Sequence, residues 1–160
     1  RELAAIGFTN PEHTTLLARH AIACPALPTC GLAITEAERI LPSVLARLET
    51  QLQGLGIERP VLVRMTGCPN GCARPYMAEI GLVGSGVDEY QLWLGGTPGL
   101  TRLARPFLDR LPLARLEATL DPLLRAWRDQ GGRRSFGAFV GDLPDDQVAA
   151  LLSGSDGLRA

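Results

Sequence analysis

Lysine is absent from this 160-residue chain, whose 16 basic residues are all arginine against 17 acidic ones, for a formal net charge of −1. A balance so close to neutrality lays down no basic footprint, so no nucleic-acid partner is expected. Arginine serves as well as lysine on a solvated face, and no function is read from the bias. Long apolar runs are missing too. No stretch approaches the roughly 20 residues of a membrane helix, so no membrane partner is expected. The opening Arg1-Glu2-Leu3-Ala4 lacks the pattern of a secretory signal. A soluble chain in the cytoplasm is expected, or in the plastid stroma if the source is a photosynthetic eukaryote. No methionine opens the chain, which raises the expectation of a piece cut from a longer polypeptide. Histidine is scarce: His13 and His20 both lie upstream of every cysteine.

What is present is four cysteines in two close pairs, Cys24-x5-Cys30 and Cys68-x3-Cys72. Structural zinc sites favour shorter pairs, often with histidine spaced beside them. Disulfides suit small secreted domains that lack a core, whereas this chain is 46% hydrophobic. Iron–sulfur clusters want soft thiolates converging from short loops. Spacing makes the cluster the favoured reading and leaves the other two open.

The surrounding sequence places both pairs on loops. His20 to Cys24 is a short apolar run ended by Pro25, with Pro28 before Cys30. Thr35-Glu36-Ala37-Glu38 has the form of a capping box, followed by Val44, Leu45, Leu48 and Leu52 at helical spacing. Pro42 should start a turn or kink that helix, and Gly54 and Gly56 should end it. Val61 to Met65 reads as a buried strand that delivers the chain to Cys68. Glu79 to Val83 and Tyr90 to Leu94 read as two more strands, joined as a hairpin through Gly84 to Asp88. Leu116, Leu120, Leu123, Leu124 and Trp127 mark an amphipathic helix, interrupted or kinked at Pro122. A short helix follows Pro144, and a Gly/Ser-rich end should fray. The fold class expected is α+β, a mixed or antiparallel sheet flanked by helices with the cysteine loops at one edge.

The stretches Ala23 to Cys30, Ala33 to Arg39, Thr66 to Met77 and Ala78 to Gly84 closely resemble the C-terminal iron–sulfur region of assimilatory sulfite reductase. The resemblance is nearest to the ferredoxin-dependent type, helped by Tyr90-Gln91-Leu92-Trp93-Leu94-Gly95-Gly96-Thr97-Pro98, and it runs from about Ala21 to about Phe139. It implies a [4Fe–4S] cluster bound by Cys24, Cys30, Cys68 and Cys72, next to a siroheme. Cys72 would also reach the siroheme iron. It further implies six-electron reduction of sulfite to sulfide with ferredoxin as donor. Siroheme nitrite reductases share the ligand pattern and form the enzyme alternative. An iron–sulfur electron-transfer module without catalysis is the alternative from another class.

On this reading residues 1–20 are an incoming segment, 21–140 the iron–sulfur/siroheme domain and 141–160 a tail with a short helix. The basic residues that grip sulfite belong, in the family, upstream of the cluster region. The partners implied are therefore ferredoxin, sulfite and the upstream half of the same enzyme, and the isolated chain should not turn over sulfite. Asn70 and Arg74 flank the bridging thiol and are the polar side chains placed near the cofactors, against simpler roles in turn chemistry and a surface ion pair. Gly71 would let a flat macrocycle approach the backbone. Arg64 reads as a strand-face residue that could meet a carboxylate. Trp93, Trp127, Met65 and Met77 read as packing, and Arg133 and Arg134 as a solvated basic pair.

Overall fold

Val63–Thr66 is buried along its whole length, as expected of a strand with neighbours on both sides. It is the second of five strands. The computed structural model describes residues 5, 14–99 and 101–154. After a short helix α1 (Leu16–His20), capped by the Thr15 hydroxyl, come β1 (Ile22–Ala23), α2 (Leu41–Gly54), β2 (Val63–Thr66), β3 (Ile80–Gly86), β4 (Glu89–Leu94) and β5 (Arg105–Pro112). Helices α3 (Leu116–Asp129), α4 (Phe136–Asp142) and α5 (Asp145–Ser153) close the chain. The strands lie in sequence order, with β1, β2 and β3 parallel and β3, β4 and β5 antiparallel. The sheet is thus mixed and flanked by helices, the α+β class expected.

Side-chain alternation divides this sheet into two unlike faces. Val63, Met65, Ile80, Leu82, Leu92 and Leu94 join one core with Val44, Leu48, Leu120, Leu124 and Trp127 of α2 and α3. Arg64, Thr66, Gly81, Val83 and Trp93 point the other way, where the 3-10 turn Pro75–Met77 packs across β2, β3 and β4. Tyr76 of that turn meets Trp93 edge-on at 4.5 Å between ring centroids.

Several local expectations need correction. The capping box at Thr35 does not form: α2 starts at Leu41 with Pro42 in its first turn, and the Thr35 hydroxyl is committed to the sheet. Pro42 therefore starts the helix, as its fixed φ allows. Pro122 does not interrupt α3, which is one helix from Leu116 to Asp129 because its buried stripe outweighs one lost backbone bond. The hairpin turn is shorter than read. Strand β3 runs to Gly86, leaving Val87 and Asp88 as the turn.

Two elements were not foreseen. β5 carries Pro106 and Pro112, which only an edge strand tolerates, and it pairs with β4 alone. α4 is capped by the Ser135 hydroxyl on Ala138 N–H. Its Gly137 N–H donates to the buried Glu79 carboxylate at 2.8 Å, and Leu62 N–H donates to the same group at 2.7 Å. Burial pushes the Glu79 carboxyl up, opposed by those two donors. Val148 and Leu152 of α5 are buried in the core. The Gly/Ser-rich end beyond residue 154 and most of residues 1–13 lie outside the described residues.

Candidate metal centre

The two cysteine loops leave adjacent parallel strands at their C-terminal ends. Ile22 and Ala23 pair with Arg64 and Met65, and Cys24 N–H extends the pairing with a bond to the Met65 carbonyl at 3.1 Å. Cys24 therefore sits one residue past β1, and Cys68 two residues past β2. They are 8% and 7% exposed. Their partners are more accessible, with Cys30 half-buried and Cys72 exposed. All four are free thiols.

Gly67 joins the loops. Its N–H donates to Cys24 Sγ at 3.3 Å, while its carbonyl accepts from Ile34 N–H at 2.8 Å and Thr35 N–H at 3.2 Å. A Cβ at Gly67 would lie 2.5 Å from the Thr35 carbonyl oxygen and 2.7 Å from Ala26 Cβ. Only glycine lets the backbones close to this distance. A backbone amide beside Cys68 thus touches the sulfur of Cys24, which joins the two loops at that point.

The first loop is held from the sheet. The Thr35 hydroxyl bonds the Tyr90 hydroxyl at 3.2 Å and accepts from Asp88 N–H at 3.1 Å, and Tyr90 Oη donates to the Glu36 carbonyl at 2.7 Å. Burial pushes the Tyr90 phenol up to about 12. Glu36 is ion-paired with Arg39, which holds its carboxyl below the usual range.

The second loop is held by its own turn. Gly71 N–H reaches the Cys68 carbonyl at 3.4 Å, Arg74 N–H the Gly71 carbonyl at 2.7 Å, and Tyr76 Oη donates to the Pro69 carbonyl at 2.9 Å. Gly71 is left-handed at φ 68°, and a Cβ there would meet Tyr76 Cε2 at 2.7 Å. The ring of Tyr76 packs against the Cα of Gly71 where a side chain would stand, so the turn's own packing requires glycine there. Burial and the nearby Cys68 thiol raise the Tyr76 phenol. Arg74 is also left-handed, at φ 54°, and its carbonyl faces Arg64 Nη1 at 3.4 Å. The side chains of Asn70 and Arg74 are exposed, and neither makes a hydrogen bond or ion pair among the described residues.

Four soft donors on interlocked loops suit an iron–sulfur cluster. The N–H groups of Asn70 and Cys72 reach no backbone carbonyl among the described residues, which leaves them available to cluster sulfides. Among the described residues, no three His, Cys, Asp or Glu side chains, the four cysteines included, stand close enough together to hold a single metal ion.

The sequence profile of the "Nitrite and sulphite reductase 4Fe-4S domain" matches residues 17–137. The chain belongs to this family. A "Sulfite reductase [ferredoxin]" of Synechococcus elongatus is 58% identical over 136 residues, covering 83% of the chain and 22% of that relative. A "Sulfite reductase [NADPH] hemoprotein beta-component" of Methylobacterium nodulans is 45% identical over 144 residues, covering 89% and 24% respectively. A solved structure of the Mycobacterium tuberculosis NirA protein superposes with a TM-score of 0.69 at 25% identity, covering 92% of the chain and 29% of NirA. The chain therefore spans about a quarter of the length of these proteins.

In this 4Fe-4S domain the loop-locking residues were not visible beforehand as a set. Thr35 has the form of a helix cap and Tyr90 that of a strand residue, and nothing in the sequence marks the contact of Gly67 with Ala26 and Thr35. The remaining candidates have structural roles. Trp127 donates to the Arg134 carbonyl at 3.0 Å and stacks edge-on with Phe136, and Met65 is core. Arg134 pairs with Asp142 instead of standing as a free charge. His20 is exposed, and His13 lies outside the described residues.

Proposed function

We propose that the chain is the cluster-bearing part of a siroheme sulfite reductase that takes electrons from ferredoxin. The observation that carries this reading is the Gly67 contact, which brings the two cysteine loops together at the Cys24 sulfur. Cys24, Cys30, Cys68 and Cys72 are the ligands of a [4Fe–4S] cluster, and Cys72 also reaches the siroheme iron. When bound, these cofactors supply the electron storage and the iron site for six-electron reduction of sulfite to sulfide.

The chain's own residues position and shield. Cys24 and Cys68 fix the buried side of the site, because each follows directly from a strand. Cys72, exposed on a turn braced by Tyr76, is the thiol free to face a second group outside the domain. Asn70 and Arg74 flank it with unpaired polar groups and stand closest to that second group. Leu32, Ile34 and Val87 add exposed apolar side chains beside Cys30 and Thr35, suited to cover by the upstream half of the enzyme. The substrate-gripping cations belong to that half. Sulfite rather than nitrite is favoured by the relatives, which are named sulfite reductases, and ferredoxin by the 58% identical one.

In the full enzyme loaded with both cofactors, Cys72→Ser is expected to abolish sulfite reduction and the electronic coupling between cluster and siroheme. The measurement is Mössbauer or electron paramagnetic resonance of the reduced enzyme. Coupling that persists in the variant refutes the shared-thiolate role.

A further inference from the structure

Arg64 is the one guanidinium on β2, and it points away from the core. It is 8% exposed, and among the described residues its guanidinium makes one hydrogen bond, a long one from Nη1 to the Arg74 carbonyl. Its Nε is buried with no partner. No carboxylate pairs with it among the described residues, and its charged neighbour is another cation, Arg74, which together with burial lowers its affinity for the proton. A buried unpaired charge is costly, and one stripped of its counter-ion by several kcal/mol in general. Such a group stays in a fold when something supplies the anion.

Arg64 lines a cavity of about 540 Å³ that also takes in Arg19, His20, Ile22, Arg59 and Glu79. Glu79 is the single acid in that wall, and its oxygens already accept from Leu62 and Gly137 N–H. The cavity is therefore basic overall, with apolar surface beside the charge. It lies beside the N-terminal half of β2, away from the cysteine loops at the strand's other end. We propose that Arg64 and this cavity form a carboxylate-binding site, taking a carboxylate carried on a small apolar body. Nη1 is spent on the Arg74 carbonyl, and Nη2 carries no hydrogen bond among the described residues, which leaves the guanidinium a donor for a carboxylate entering the cavity it lines. The apolar wall favours a carboxylate on a hydrocarbon over a fully hydrated tetrahedral oxyanion. This inference does not depend on the cluster, so the two stand or fall separately.

The probe is benzoate, with uncharged benzamide and sodium sulfate at matched ionic strength as controls, on the wild-type chain and on Arg64→Met and Arg64→Lys. Benzoate in excess is expected to raise the wild-type Tm by about 3 °C and to shift the Arg64 Nε–H resonance. Benzamide should do neither. Arg64→Met should abolish the benzoate effect, and Arg64→Lys should restore only part of it. The resonance shift on wild-type protein keeps the test valid where a variant fails to fold. In the longer enzyme, a retained benzoate effect assigns the site to a diffusible or cofactor-borne carboxylate. An effect lost there, with Arg64→Met now destabilising, assigns it to an Asp or Glu side chain of the upstream half. Equal effects of benzoate and benzamide, a benzoate effect that survives Arg64→Met, or a larger effect of sulfate would overturn the proposal.

Discussion

The two cysteine loops begin alike and are held differently. Each starts at the C-terminal end of a parallel strand with a buried cysteine and ends with a more accessible one. The first loop, from Cys24 to the start of α2, borrows its rigidity from elsewhere: Gly67 of the other loop, and Thr35 and Tyr90 against the hairpin. The second, Cys68 to Met77, is braced within itself by Gly71, Arg74 and Tyr76. A long spacer between thiols needs outside anchors, whereas a short one can be closed by its own turn. The accessible thiol of the self-braced loop can then face another group without losing its place.

Changes at the shared contact should have the largest effect, because both loops depend on it. Gly67→Ala places a methyl within 2.5 Å of the Thr35 carbonyl, and a forced shift of that kind is expected to cost about 3 kcal/mol in urea unfolding. Bound iron should fall with it. Gly71→Ala strains only the second loop, through φ 68° and the Tyr76 ring, at about 1–2 kcal/mol. Pairing it with Tyr76→Leu should recover part of that loss, since the clash is with the ring. Additivity of the two changes in a double-mutant cycle would break this half of the comparison.

Tyr90→Phe removes the outside anchor of the first loop, leaving the Glu36 carbonyl without its donor, for about 1 kcal/mol. It should leave the Tyr76 side of the second loop unaltered by NMR. A related pH effect follows. Burial pushes the folded phenol up to about 12 from its ordinary 10.0, so the stability it contributes is fully present below pH 10 and is lost as pH rises through about 12. Unfolding followed across that window should show a steeper loss for wild type than for Tyr90→Phe. Equal slopes would mean that Tyr90 does not carry this contribution. The smallest effect is expected from Tyr76→Phe, which loses one half-exposed hydrogen bond worth about 0.5 kcal/mol.

Much of this was legible in the sequence. The apolar stripes of α2 and α3 and the β-branched run before Cys68 announce themselves by period, and the proline- and glycine-rich turns place both cysteine pairs on loops. Elements without their own period were not legible. β5 carries two prolines and stays in register only because β4 supplies the partner. Thr35 satisfied a local capping rule but was drawn by Tyr90 and Asp88 into a tertiary bond. The burial of Arg64 could not be read either, since alternation on β2 says which face it points to but not that a turn further along the chain would cover that face: the cover comes from Pro75–Met77, whose Tyr76 packs on Trp93.

The central claim is that Cys24, Cys30, Cys68 and Cys72 together hold one polynuclear iron–sulfur cluster. Anaerobic reconstitution with iron and sulfide, followed by metal and acid-labile sulfide analysis, tests it directly. About four irons and four sulfides per chain are expected, with visible absorption lost in Cys68→Ser. One zinc per chain, with no iron retained and no visible absorption, would contradict it.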